Sequence, residues 1–208
     1  MGQFSIRKAL PEDVQGLAEV SSRAFEHDPL TDWLVESQSN ALQAERQMFL
    51  AEWNISKRYD LIFTDSDRQG VAVWKPPGAS VTIGNRIRQI WSMIGSIKLS
   101  RRTLAKIRLF LDVEKARPIE PHYYLSLLAV APEMQGKGLG SALMQPILEL
   151  CDREGIPAYL ETETVSNVGF YSRKGFFVRQ EIVTSDGKSK IWTMWRDARK
   201  IKLMEKKV

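Results

Sequence analysis

The stretch Val130-Ala131-Pro132-Glu133-Met134-Gln135-Gly136-Lys137-Gly138-Leu139-Gly140-Ser141 decides the fold. Its three glycines occupy every second position. Before it runs Tyr123–Val130, YYLSLLAV, a nearly continuous apolar segment of the kind expected of a central strand buried on both faces. After it, residues 138–154 carry apolar side chains at helical spacing. Glycines allow a tight bend and a close backbone approach to a ligand. A new helix start adds about four unpaired N–H groups and roughly half a positive charge. Strand, glycine turn and helix together form a cradle for phosphate.

The type of cradle follows from the spacing. The Walker pattern is absent, because Lys137 is followed by Gly138. The dinucleotide pattern G-x-G-x-x-G fails by one residue, because Ser141 stands where the third glycine belongs. What remains is Gln-x-x-Gly-x-Gly after a strand, carried by Gln135, Gly138 and Gly140. A second segment follows. Tyr159-Leu160-Glu161-Thr162 closes a strand, and Asn167-Val168-Gly169-Phe170-Tyr171-Ser172-Arg173-Lys174-Gly175-Phe176 supplies Asn-x-x-x-Tyr-x-x-x-Gly-Phe.

The two segments together resemble the GCN5-related N-acetyltransferases, the GNAT superfamily. Further stretches resemble its puromycin N-acetyltransferase-like members: Phe25 through Pro29, Val71–Trp74, Glu120-Pro121, Tyr124-Leu125 and Trp192-Thr193-Met194. The resemblance is specific over 120–195 and loose before it, and residues 80–117 align poorly. It implies an α/β (α+β) fold: a mixed central β-sheet, splayed between two central strands and flanked by helices. It also implies that acetyl-CoA lies in the splay. Backbone groups of Leu128, Ala129 and Val130 would pair with the pantetheine arm. The N–H groups of Gln135, Gly136, Lys137, Gly138, Leu139, Gly140 and Ser141 would take the pyrophosphate, with Lys137 adding charge. Asn167 would touch the pantetheine end.

The reaction so implied is acetyl transfer from a thioester to an amine. An alkyl amine of pKa about 10 is only roughly 0.1% neutral at pH 7, so a base must help. Glu161, at the C-terminal end of its strand, is the candidate, acting through a water. Tyr171 matches the position where the family places a tyrosine acid for the leaving thiolate, and it adjoins the coenzyme site. Backbone N–H groups near Val130 are the candidate oxyanion donors. Cys151 sits mid-helix, so direct attack in a ternary complex is expected rather than a covalent enzyme. Asp28, with Glu26 and Asp32 nearby, suits a cationic acceptor, and Glu161 also faces it. At Asp28-Pro29 the puromycin-using relative has an aromatic residue before the proline, so puromycin itself fits poorly.

Each signal has a plainer structural reading. The glycines can serve a tight turn, Tyr171 a core, Glu161 or Glu163 a solvated strand end, and Asn167 a helix N-cap. His27 and His122 show no partner spacing. A non-catalytic acyl-CoA-binding module and a protein or peptide N-acetyltransferase are the alternatives to a small-molecule enzyme.

The remaining chain fits one domain over 1–208. Strands are expected at Phe4–Lys8, Leu61–Thr64, Gly70–Trp74, Ala158–Thr162, Phe176–Val183 and Ser189–Trp195. Helices are expected from Pro11, over about 40–57, and over Asn167–Lys174, and Pro146 should kink the helix after the glycine loop. The insertion at 80–117 is amphipathic, with Leu104, Ile107 and Leu111 on its apolar face. It reads as a lid, a lining of the acceptor site, or a nucleic-acid or membrane contact. Trp91 sits with the apolar residues, which argues against a base-stacking surface.

The net charge is +5, with nine basic and two acidic residues in 80–117 and six basic and two acidic in 196–208. The tail 197–208 is expected to be solvated. A single cysteine excludes an internal disulfide, and no metal site is expected. No apolar run reaches the roughly 18 residues of a membrane span. Met1-Gly2-Gln3-Phe4-Ser5-Ile6 reads as neither a signal peptide nor a myristoylation site. The expectation is a cytoplasmic monomer or homodimer that acts on a small-molecule amine, with neither nucleic acid nor membrane as partner.

Overall fold

The structure, a computed structural model, describes residues 4–26, 30, 41–79, 101–185, 187 and 189–199. Expectations at His27, Asp28, Asp32, 80–100 and 200–208 lie outside the described residues.

Seven strands form one sheet: β1 Ile6–Lys8, β2 Ile62–Asp65, β3 Gly70–Lys75, β4 Tyr123–Val130, β5 Ala158–Thr162, β6 Phe177–Val183 and β7 Lys190–Arg196. Their order is β1-β2-β3-β4-β5-β7-β6. The β4–β5 pair is parallel and every other pair is antiparallel. The described helices are α1 Val14–Ala24, α2 Ala41–Ser56, α3 Arg101–Ala116, α4 Leu139–Glu154 and α5 Val165–Ser172. The mixed, helix-flanked sheet is the architecture expected.

Both faces of the sheet are covered. On one, α4 lays down Leu139, Leu143, Ile147 and Cys151, spaced one turn apart, against Trp74, Leu125 and Leu160. On the other, Leu17 and Ala18 of α1 and Phe49 and Trp53 of α2 meet Val71, Val73 and Ala129. The α4–sheet contact is close at Gly70. A Cβ there would stand 2.7 Å from Leu143 Cδ1 and 3.1 Å from the Ala129 carbonyl oxygen, so a larger residue would have to displace the buried Leu143 side chain. Helix α4 runs through Pro146 to Glu154 without interruption.

The order and spacing of the central strands position the site. The β3–β4 register passes from Val73↔Leu127 to Trp74↔Leu125, so Ser126 is one residue too many and forms a bulge. On its other edge β4 pairs with β5 only at Tyr123↔Ala158, Tyr124↔Tyr159 and Leu125↔Leu160. From Ser126 to Val130, β4 has no β5 partner. The sheet is open there, at the splay that the resemblance implied.

The helical insertion differs in one respect. Its described helix buries Leu109 and packs Val113 and Ala116 on Ile182 and Ile191 of the β6–β7 ladder. Ile107 and Leu111, expected on the buried face, are 36% and 49% exposed. The segment 107–113 has apolar residues nearly all round, and the partner ladder selects a stripe two positions away, on nearly the opposite side of the helix from the one periodicity suggests.

Candidate functional site

The glycine turn leads β4 into α4. Pro132–Met134 form one 3-10 turn. Gly138 then takes φ +96°, a left-handed conformation that a side chain resists, and α4 begins at Leu139. The N–H of Gln135 donates to the Pro132 carbonyl at 3.3 Å and that of Lys137 to Met134 at 3.4 Å. These two groups therefore already have internal partners. The N–H groups of Gly136, Gly138, Leu139, Gly140 and Ser141 have no acceptor among the described residues. The Gln135 side chain donates to the Val130 carbonyl at 3.2 Å and ties the turn to the strand end. Lys137 is exposed, and the Leu139 side chain is buried in the core, so Leu139 offers only its backbone.

The turn, the open part of β4 and α5 come together. A Cβ on Gly140 would lie 3.6 Å from Phe170 and Val130 and 3.8 Å from Leu128. Beside Phe170, Tyr171 is buried in the α4-side core, edge-on to Phe170 and Phe176. Among the described residues no partner holds its hydroxyl. Burial, with the Glu163 carboxylate nearby, pushes that hydroxyl above the ordinary tyrosine value and keeps its proton on. Thr164, not Asn167, caps α5, and its hydroxyl accepts from the Asn167 N–H at 3.3 Å. The exposed Asn167 side chain is thus not the cap.

The opposite face carries a polar network. Leu160 points into the α4-side core, so its neighbour Glu161 points the other way. Its carboxylate accepts from Arg117 Nη2 at 2.9 Å. The Arg117 guanidinium lies 4.5 Å from the centre of the Tyr124 ring, and Lys75 Nζ lies 5.5 Å from the same ring. Lys75 is paired at 2.9 Å with Glu52 of α2, and Glu52 also accepts from the bulge residue Ser126 at 2.7 Å. Burial and the Glu161 carboxylate push the Tyr124 and Tyr159 hydroxyls well up. His122 stands edge-on to Tyr159 and Trp195, and burial lowers its pKa.

One face therefore presents a glycine turn with unpartnered N–H groups and a buried phenol, and the other a carboxylate network. The gap between β4 and β5 lies between them. Residues 86–176 match the model of the acetyltransferase (GNAT) family. The chain is 26% identical over 202 residues to an uncharacterized N-acetyltransferase of Schizosaccharomyces pombe, covering 90% of this chain and 80% of that one.

Over residues 86–176 the chain is similar to the GNAT acetyltransferases. Solved structures agree on the fold. A Corynebacterium glutamicum structure described as histone acetyltransferase HPA2 and related acetyltransferase superposes with TM-score 0.68 at 22% identity, covering 97% of this chain and 100% of that one. Arylalkylamine N-acetyltransferase 2 of Aedes aegypti gives 0.70 at 14% identity, covering 94% and 99%.

Sequence reasoning missed Arg117, Tyr124, Lys75, Glu52 and Ser126. They converge from a loop, two strands and a helix that are far apart in the chain, with no spacing to link them. Cys151 is a core residue whose thiol burial pushes up to about 12. Among the described residues no helix is long and apolar enough to cross a membrane, and no group of three potential ligands is placed to hold a metal ion.

Proposed function

We propose that this enzyme transfers an acetyl group from acetyl-CoA to a primary amine on a small molecule, by direct attack within a ternary complex. The observation that carries this reading is the row of unpartnered N–H groups at the head of α4, beside the open margin of β4. An anionic pyrophosphate suits that row, and the left-handed Gly138 keeps it clear of side chains. Gly136, Gly138, Leu139, Gly140 and Ser141 hold it through their backbones, and Lys137 adds charge at the rim. The open edge of Leu128, Ala129 and Val130 pairs with the amide groups of the pantetheine arm. Asn167 meets that arm from α5. Bound acetyl-CoA supplies an activated acetyl thioester.

The residues of this chain supply the proton transfers. Glu161 takes the proton from the incoming ammonium through a water, and the Arg117 ion pair holds its carboxylate in place. Tyr171 gives its proton to the departing sulfur. Asp28 attracts the acceptor. The likeness to puromycin N-acetyltransferase-like members supports a small acceptor, and a cytoplasmic setting fits that reaction.

The test is a calorimetric titration of acetyl-CoA into the protein, with NAD and ATP as controls, followed by an amine screen read by free-thiol release. Micromolar binding of acetyl-CoA alone, with thiol released only when amine is present, is expected. Equal binding of ATP, or no binding at all, removes the assigned role of the glycine turn. Binding without turnover on any amine leaves a non-catalytic acyl-CoA module.

A further inference from the structure

Beyond the Arg117–Glu161 pair lies a pocket of about 320 Å³ that the chemistry above does not use. Its walls come from the end of β3 and the loop after it, the last turn of α3, and the connection into β4. Arg117 and Tyr124 belong both to its lining and to the network around Glu161. The pocket is therefore contiguous with the candidate base. Its volume is at the lower end of the few hundred to about 1,000 Å³ typical of small-ligand sites.

The walls define what the pocket accepts. Two rings line it, Tyr124 and His122, and burial lowers the His122 pKa, which favours the uncharged ring at neutral pH. Pro76 and Pro118 add flat apolar surface. The cations are committed: Lys75, only 5% exposed, to Glu52 at 2.9 Å, and Arg117 to Glu161 at 2.9 Å. Glu114 also lies 3.6 Å from Arg117. A ligand carboxylate would be a third anion at that guanidinium. A ligand cation would lie beside Lys75 and Arg117, and the further carboxylate of the lining, Glu120, is 61% exposed and 4.0 Å from Arg179, where solvent screens it. Breaking a buried pair to serve a ligand charge costs several kcal/mol, so neither charge is accommodated. Aromatic and proline walls favour a ring by burial and offset stacking.

We propose that this pocket seats the far end of the acceptor and that it selects an uncharged, ring-bearing tail on an amine with no carboxylate. The inference rests on the acetyltransferase reading, because the reacting nitrogen must reach Glu161. The small size of the pocket also favours a free amine over a peptide chain, whose flanking residues would need an open groove.

The test measures binding without turnover. 2-Phenylethylamine, n-butylamine and phenylalanine are titrated separately into the protein saturated with coenzyme A, and again into Ala79→Trp, which places bulk at the pocket wall. 2-Phenylethylamine should bind at least tenfold more tightly than either of the others. Ala79→Trp should weaken it at least tenfold while its coenzyme A affinity, measured in the same calorimeter, stays within twofold. A second variant, His122→Ala, should weaken it severalfold by removing one ring. Phenylalanine binding as tightly as 2-phenylethylamine overturns the selection against carboxylates. Undiminished binding to Ala79→Trp, or no binding of the ring amine to the wild type, overturns the pocket assignment. The acetyl-CoA titration stands apart from these results: if acetyl-CoA binds and the ring amine does not, the pocket proposal alone fails.

Discussion

Arg117 and Glu161 meet at 2.9 Å although one lies just past α3 and the other in β5. Their side chains are 17% and 10% exposed. Removing one partner strands the other charge in poorly hydrated surroundings, at a cost of about 3 kcal/mol. Arg117→Met should lower stability by about that much, whereas the double variant Arg117→Met/Glu161→Leu should lose clearly less. Urea unfolding of the three variants decides it. If the double variant equals the sum of the single ones, the two residues are not coupled.

Glu161→Gln keeps the shape and a hydrogen-bond acceptor but cannot take a proton. Thiol release with a good amine should fall on the order of 10²-fold or more, with acetyl-CoA affinity unchanged. A fall below tenfold would move the base elsewhere, to Glu52 or Glu114, the other carboxylates of the same network.

The Tyr171 hydroxyl makes no bond to a described residue, so Tyr171→Phe should leave unfolding stability nearly unchanged. Turnover should drop on the order of 10²-fold, and coenzyme A affinity should hold. Burial raises this group above its ordinary value of 10.0. Its acid form then persists as pH rises, and no loss of rate below pH 10 should trace to it. A basic limb near pH 8 that vanishes in Tyr171→Phe contradicts this.

His122 works in the opposite direction. Burial pulls its pKa below the ordinary 6.5, helped by the Arg117 cation and opposed by the bond to the Glu120 carbonyl. The unfolded chain then binds a proton more readily than the folded one. Stability is full above pH 6.5 and declines as pH falls through the lower, folded value. Melting temperature against pH should show this decline, and His122→Phe should flatten it. The carboxylates of Asp13 and Asp152 are held below their ordinary 3.8, so their contribution is lost only in stronger acid.

Two glycines of the cradle should respond differently. Gly138→Ala forces a side chain into φ +96° and should cost about 1–2 kcal/mol and at least tenfold in acetyl-CoA affinity. Gly140 is helical, and its new Cβ would meet neighbours at 3.6–3.8 Å, an ordinary contact. Gly140→Ala should bind within a few fold of wild type. Equal losses at both positions would mean that the conformation of the turn does not matter.

Much of the framework was legible in the chain. Tyr123–Val130 and Ala158–Thr162 fall where their apolar runs place them, because a strand buried on both faces leaves a continuous signature. Elsewhere, ends shift by a residue or two: α5 starts at Val165 because the Thr164 hydroxyl caps it, two residues before the expected start. The glycine turn was legible as a motif but not in its bonding. The internal bonds of Gln135 and Lys137 depend on a 3-10 turn that glycine spacing does not reveal. The Arg117–Tyr124–Lys75–Glu52 network was not legible, since its members are brought together only by strand order. For the α3 helix the sequence allows more than one buried stripe, and its partners Ile182 and Ile191 lie some seventy residues further along the chain.

Ser126 changes the parity of its strand. Tyr123 and Leu125 face the α4 side, and so do Leu128 and Val130, although an undisturbed alternation would put odd and even positions on opposite sides. The single surplus residue lets one strand serve two patterns that are out of step. Before it, even positions carry the Tyr124 ring into the charged network. After it, odd positions carry Leu127 and Ala129 into the core beneath α1 and α2. Deleting Ser126 would therefore leave 123, 125, 128 and 130 on one face by plain alternation, and would take away only the bulge and its hydroxyl. What the surplus residue adds is its hydroxyl on Glu52, which ties the bulge to α2 and to the charged network.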